Sequence, residues 1–179
     1  MADQISKLFF WLITPIQKLM QKIKKPEPRM TYKEVCEIVL LIESGDVLLS
    51  YESWHFTSMF IPGKWDHAAV VFERFIDLSV IEAIGEGVQR VELTEWLYKK
   101  DHVMVLRRKN KTKKERAESG SWANDQVGKK YDYQFSKDDA TFYCSELSMD
   151  AHDVPVDGII EPSEIPLLAE YFDVIYSTL

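Results

Sequence analysis

The sequence predicts an α+β domain with a mainly antiparallel sheet, from three observations. Short apolar runs of strand character outnumber long helical ones, and they cluster in the middle of the chain rather than alternating with helices. The chain has 179 residues, 46% of them hydrophobic and 28% charged, which suits one domain with a sizeable core. With only seven glycines, seven prolines and two cysteines, it fits neither a disordered, collagen-like nor disulfide-stapled chain.

Taken in order, Thr31 and Glu34 have the spacing of a capping box. Val35, Cys36, Ile38, Val39, Leu41 and Ile42 then give a mostly apolar helix ending before Gly45. Asp46 to Tyr51 reads as a strand, and residues 52–65 as an aromatic-rich loop containing Pro62-Gly63. Strands follow at Ala68–Phe72, headed by His67, at Ser79–Ala83 and at Val88–Leu93. Thr94–Tyr98 is a single helical turn, and Val103–Leu106 an apolar strand. A polar helix spans about Lys113 to Val127 and stops at Gly128. Phe142–Ala151 reads as a helix and Tyr171–Tyr176 as a closing strand.

The chain divides into an amphipathic N-terminal helix and linker, residues 1–29, and a domain over 30–179. Ile5, Leu8, Phe9, Leu12, Ile13, Ile16, Leu19, Met20 and Ile23 recur at helical spacing, with Pro15 as a kink and Pro26 and Pro28 in the linker. The unbroken apolar run from Leu8 to Ile13 is far short of the ~20 residues that span a bilayer. No small-residue cleavage site follows it, so no signal peptide is read and a cytoplasmic location, with or without peripheral membrane contact, is expected. Two readings stay open for this segment. One is a helix lying in a membrane surface; the other is a helix packed on its own domain or on a partner subunit.

Net charge is −7, from 22 basic and 29 acidic residues, which argues against general nucleic-acid binding. The bases are unevenly placed. Residues 1–30 carry six against two acids, and residues 107–116 carry seven against Glu115 alone. Such asymmetry suggests a basic surface, residues 5–25 and 107–116, meeting an anionic membrane.

A thiol becomes a nucleophile when a base, a cation or a helix N-terminus lowers its pKa. Cys144 opens a predicted helix, whereas Cys36 lies among apolar residues with the profile of an inert core thiol. Of the four histidines, His152 sits ~12 Å further along the Cys144 helix and is not its base there. His55 and His102 read as solvent-exposed. His67 heads a strand that would hold its ring rigidly, and Glu82 on the next strand is its candidate orienting partner. A register that opposes Glu82 to Ala69 sets Glu82 diagonal to His67 on one face; a one-residue slip separates them, and the sequence leaves both open. The histidines are scattered, no pair has ligand spacing, and no glycine-rich phosphate loop occurs, so no metal or cofactor is expected.

The succession Gly45-Asp46-Val47-Leu48-Leu49, Trp65-Asp66-His67-Ala68-Ala69-Val70-Val71 and Val80-Ile81-Glu82-Ala83 resembles the permuted papain-like amidases, the YiiX/YebB-like branch of the NlpC superfamily. Gly128-Lys129-Lys130-Tyr131-Asp132 and Phe142-Tyr143-Cys144-Ser145-Glu146-Leu147 extend the likeness, which runs over about residues 40–176. The resemblance implies a circularly permuted papain-like (NlpC-type) fold, its sheet packed against the helix carrying the cysteine. It implies Cys144 as nucleophile, His67 as base then acid, and Glu82 as the histidine-orienting residue. Tyr131, Asp132, Trp65 and Tyr143 are candidate substrate-binding residues, with Trp54 and Phe56 as further cleft wall; ordinary packing is the alternative for each. Asp66 departs from the family pattern, which favours a small residue before the histidine.

Three functions follow as expectations. The first is a cysteine hydrolase cleaving an amide bond in a peptide or cell-wall peptide, through a thioester. The second keeps the site but acts on a lipid amide or acyl chain at a membrane. The third is a non-enzymatic interaction module on the same scaffold.

Overall fold

The computed structural model describes residues 30–52, 63–135 and 140–179. The predicted N-terminal helix and linker, together with Trp54, His55 and Phe56, lie outside the described residues. Among those described, no helix is long and apolar enough to cross a membrane.

Helix α1, Tyr32–Leu41, starts where the sequence places it: the Thr31 hydroxyl accepts from the Glu34 N–H at 3.3 Å, and the Glu34 carboxylate accepts from the Thr31 N–H at 2.6 Å. Strands β1 (Val47–Tyr51), β2 (His67–Arg74), β3 (Asp77–Ile84) and β4 (Gly87–Glu92) follow. Then come helix α2 (Leu93–Leu97), strand β5 (His102–Arg108) and helix α3 (Lys113–Asp125). The chain closes through β6 (Lys130–Tyr131), β7 (Thr141–Phe142), helix α4 (Cys144–Asp150), a 3-10 turn over Pro162–Leu167 and β8 (Phe172–Ser177).

The main sheet has order β4-β3-β2-β1-β5-β8, and every neighbouring pair is antiparallel. Both faces of its centre are covered, which explains why β1 and β2 read as continuous apolar runs rather than alternating ones. Leu48, Ala69, Val71 and Val80 pack with Val35 and Ile38 of α1 and with Leu93, Trp96 and Leu97 of α2. The opposite face is shared by two clusters. Val47, Leu49 and Ala68 meet Met149 and Ile165, while Val70 and Ile81 meet Ala123 of α3 and Leu147 of α4.

Three differences from the sequence reading have local causes. The predicted helix over 142–151 starts only at Cys144, because Thr141–Phe142 pairs in parallel with β6 and the Phe142 ring is buried. That small two-stranded sheet and the 3-10 turn are too short to leave a periodicity in the sequence. Four of the seven bases in the run 107–116 make contacts with the domain itself. Arg107 forks onto Asp46 at 2.9 and 2.7 Å and donates to the Leu41 carbonyl; Arg116 holds Glu43; Arg108 donates to the Tyr171 carbonyl and Lys109 to that of Ala169.

These contacts join the end of α1, the start of β1, the end of β5 and α3. Glycines permit the approach. A Cβ on Gly45, where φ is +85°, would lie 1.9 Å from the Arg116 carbonyl oxygen. One on Gly120 of α3 would lie 2.7 Å from the Val71 carbonyl oxygen.

The Asp46 side chain is wholly buried, so its loss leaves a guanidinium without its main counter-charge. Asp46→Ala is expected to lower the unfolding free energy by about 3 kcal/mol in urea titrations. Lys114→Ala, at the exposed pair with Glu118, is expected to change it by less than about 0.5 kcal/mol.

Candidate active site

The site forms at the end of the sheet where β2 begins. β1 fixes the neighbourhood: Ser50 pairs with His67 and Tyr51 with His102. The β2–β3 register opposes Ala69 to Glu82, which puts Glu82 diagonal to His67 on one face. Of the two registers open to the sequence, this is the one that joins them. His67 Nε2 lies 2.8 Å from Glu82 Oε2, and their side chains are 16% and 7% exposed. A carboxylate accepts, so Nε2 carries the proton and Nδ1 is the nitrogen left for Cys144.

Cys144 is the first residue of α4, which packs on β2 from the opposite layer. Its thiol lies 3.9 Å from the Ser145 hydroxyl, with the His67 ring and the Ala68 N–H near enough to act on its charge. Burial by itself would push this thiol up, but the hydrogen bond and charge of His67 outweigh it and the pKa is lowered. Burial likewise works against the imidazolium, yet the bonds and charges of Cys144 and Glu82 raise His67 to about 9. Burial opposes the Glu82 carboxylate as well; His67, Lys100 and Trp96 together hold its pKa well below the usual range. The shifts of the three groups all run in the direction of a thiolate–imidazolium–carboxylate chain.

Two contacts to Glu82 were not expected from the sequence. Trp96 Nε1 donates to Glu82 Oε2 at 2.7 Å, and Gln89 Nε2 donates to Oε1 at 2.7 Å. Gln89 stands directly opposite Glu82 on β4, so a correct register of the β3–β4 hairpin would have found it. Trp96 is brought in by α2 folding back over the sheet, for which the sequence holds no local signal.

The four candidate substrate-binding residues are placed differently from one another. Tyr131 is half-buried, its ring 5.0 Å from that of Tyr133; burial and then the Cys144 charge push its hydroxyl pKa up. Tyr143 caps α4, its hydroxyl accepting from the Ile160 N–H at 3.4 Å, and burial pushes its pKa up to about 12. Asp132 is buried and accepts from the Gln134 N–H at 2.8 Å. Trp65 is a core residue, 3% exposed and packed with Leu49, Met149 and Ile165. Asp66, the departure from the family pattern, is buried with its carboxylate accepting from the Glu52 N–H at 3.2 Å.

The remaining histidines and thiol also find places. His102 is half-buried rather than solvent-exposed, 3.3 Å from the Thr178 hydroxyl and stacked on Tyr51. His152 is buried edge-on against Phe172; burial, reinforced by Arg108, pushes its pKa down to about 3. Cys36 is half-buried on α1 rather than in the core. Among the described residues, no three His, Cys, Asp or Glu side chains are grouped to hold a metal ion.

A cysteine at a helix start, set against a histidine on an antiparallel sheet, defines the papain-like class. The chain belongs to the permuted papain-like amidase enzymes of the YaeF/YiiX, C92 family, whose sequence profile matches residues 41–164, more than half of the chain. A search of curated proteins finds no match. Among solved structures, the chain is similar to YiiX from Escherichia coli O157:H7, described as a metalloprotein. The TM-score is 0.55 at 22% identity, over 62% of this chain and 64% of that one, a likeness of fold. The chain therefore spans less than two thirds of that relative's length.

The electrostatics predict two histidines at opposite extremes. In a pH titration of the histidine ring signals, His67 is expected to titrate near 9 and His152 to stay neutral down to pH of about 4. Cys144→Ala removes a group that raises His67, so the His67 midpoint is expected to fall. A His67 midpoint at the ordinary value near 6.5 would contradict the ion pair.

Proposed function

We propose that the protein is a cysteine hydrolase that cleaves an amide bond through a thioester acyl-enzyme, with Cys144 as nucleophile. The observation that carries this reading is a thiol at a helix start beside a histidine whose Nε2 is held by a buried carboxylate. Cys144 sulfur attacks the acyl carbon, and the tetrahedral oxyanion meets the Cys144 backbone N–H, which the first turn of α4 leaves without a helical acceptor. The intermediate collapses as the C–N bond breaks, and the proton on His67 Nδ1 goes to the leaving amine. His67 then takes a proton from water, which attacks the thioester and releases the acid. Glu82 keeps the ring in one tautomer throughout. Tyr131 and Tyr143 flank Cys144 as cleft residues.

A second reading, a lipid amide or acyl chain as substrate, is favoured by the amphipathic, lysine-bearing pattern of residues 5–25 in the sequence. The interaction-module reading loses ground to the complete Cys144, His67 and Glu82 set.

Incubation with a peptide amide and, in parallel, with an N-acyl lipid in anionic vesicles tests both substrates. The reading predicts an acyl mass on Cys144 that hydroxylamine removes, and turnover reduced about 10³-fold or more by Cys144→Ala or His67→Ala. Adduct and turnover with the lipid alone would select the second reading; turnover that survives Cys144→Ala would overturn both.

A further inference from the structure

We infer that Trp96, with Gln89, is a positioning residue of this site, acting on His67 through Glu82; the inference rests on the hydrolase reading above. Glu82 is a carboxylate 7% exposed at the centre of a packed layer. A buried anion keeps its charge and its place only if its lone pairs are met by donors. Both oxygens are met. Oε2 receives His67 Nε2–H at 2.8 Å and Trp96 Nε1–H at 2.7 Å, while Oε1 receives Gln89 Nε2–H at 2.7 Å. With two fixed donors besides the histidine, the carboxylate plane cannot rotate away from the imidazole.

The indole is itself held. Trp96 is 2% exposed in the core beneath α1, and the Lys100 ammonium lies 4.7 Å above its ring. Lys100 is buried and reaches Glu52 at 3.4 Å. A cation over an indole face draws electron density from the ring and strengthens N–H donation. Lys100, Trp96, Glu82, His67 and Cys144 thus form one continuous chain of contacts across both helical layers. An apolar residue at 96 would fill the same core space without supplying the donor, so packing alone does not account for the indole N–H aimed at Oε2.

The test follows the His67 ring titration, which reads the carboxylate's effect and needs no substrate. Trp96→Phe keeps a ring in the core, and thermal unfolding is followed in parallel. The expected result is a His67 midpoint about one unit below that of the wild type, a ten-fold loss of proton affinity. Gln89→Leu, at a half-buried edge-strand position, removes the other donor without opening the core and is expected to lower the midpoint too; it decides the matter if Trp96→Phe does not fold. In a Glu82→Gln background, neither substitution is expected to add a shift, because its route to His67 is gone. A midpoint unchanged or raised in the single variants would overturn the inference, as would an equal drop in the Glu82→Gln background. A wild-type midpoint near 6.5 would instead overturn the reading of the site on which the inference stands.

Discussion

A single buried negative charge, that of Glu82, governs the chemistry available at this site. Alone in a packed layer its pKa would be raised, since burial penalises the ionised form. Three hydrogen-bond donors and a nearby ammonium keep it charged. That charge, with the Cys144 thiol, makes His67 an imidazolium against its own cost of burial, and the imidazolium lowers the thiol. No member of the chain has its shifted pKa independently.

The architecture supplies this arrangement by putting the site at one end of a sheet covered on both faces. The β2–β3 register fixes Glu82 against His67, α2 brings Trp96 from one layer, and α4 brings Cys144 from the other. Rigidity comes from elsewhere in the molecule. At the opposite end of β1, the Asp46–Arg107 fork and the Gly45 and Gly120 contacts lock the strands to α1 and α3. The cations doing so come from the basic run that, as a sequence, suggested a surface for anionic partners.

Most of the fold was legible in the sequence because its signals are local. Thr31 with Glu34 marks a helix start, and β1 to β5 carry apolar runs bounded by turns. Cys144, His67 and Glu82 were legible too, from residue types and their order in the chain, but their union depended on register. A strand's hydrophobic pattern fixes register weakly when both of its faces are buried. Trp96 and Gln89 escaped notice for the same reason: their meaning lies in what stands opposite them. Trp65 is an aromatic for which the sequence leaves both cleft wall and ordinary packing open, and in the fold it packs with Met149 and Ile165. Phe142 was read into the helix because its apolar character suits either structure, and only pairing with β6 assigns it to a strand.

The chemistry of the site depends on whether Cys144 is a thiolate because of His67. The direct measurement is the pH dependence of alkylation at Cys144, read site by site against Cys36, in the wild type and in His67→Ala. Cys144 is expected to react as a thiolate well below pH of about 8.5, the ordinary thiol value, and the replacement to return it to ordinary behaviour. A Cys144 that alkylates like an ordinary thiol, or that ignores the loss of His67, would contradict the Cys144–His67 ion pair.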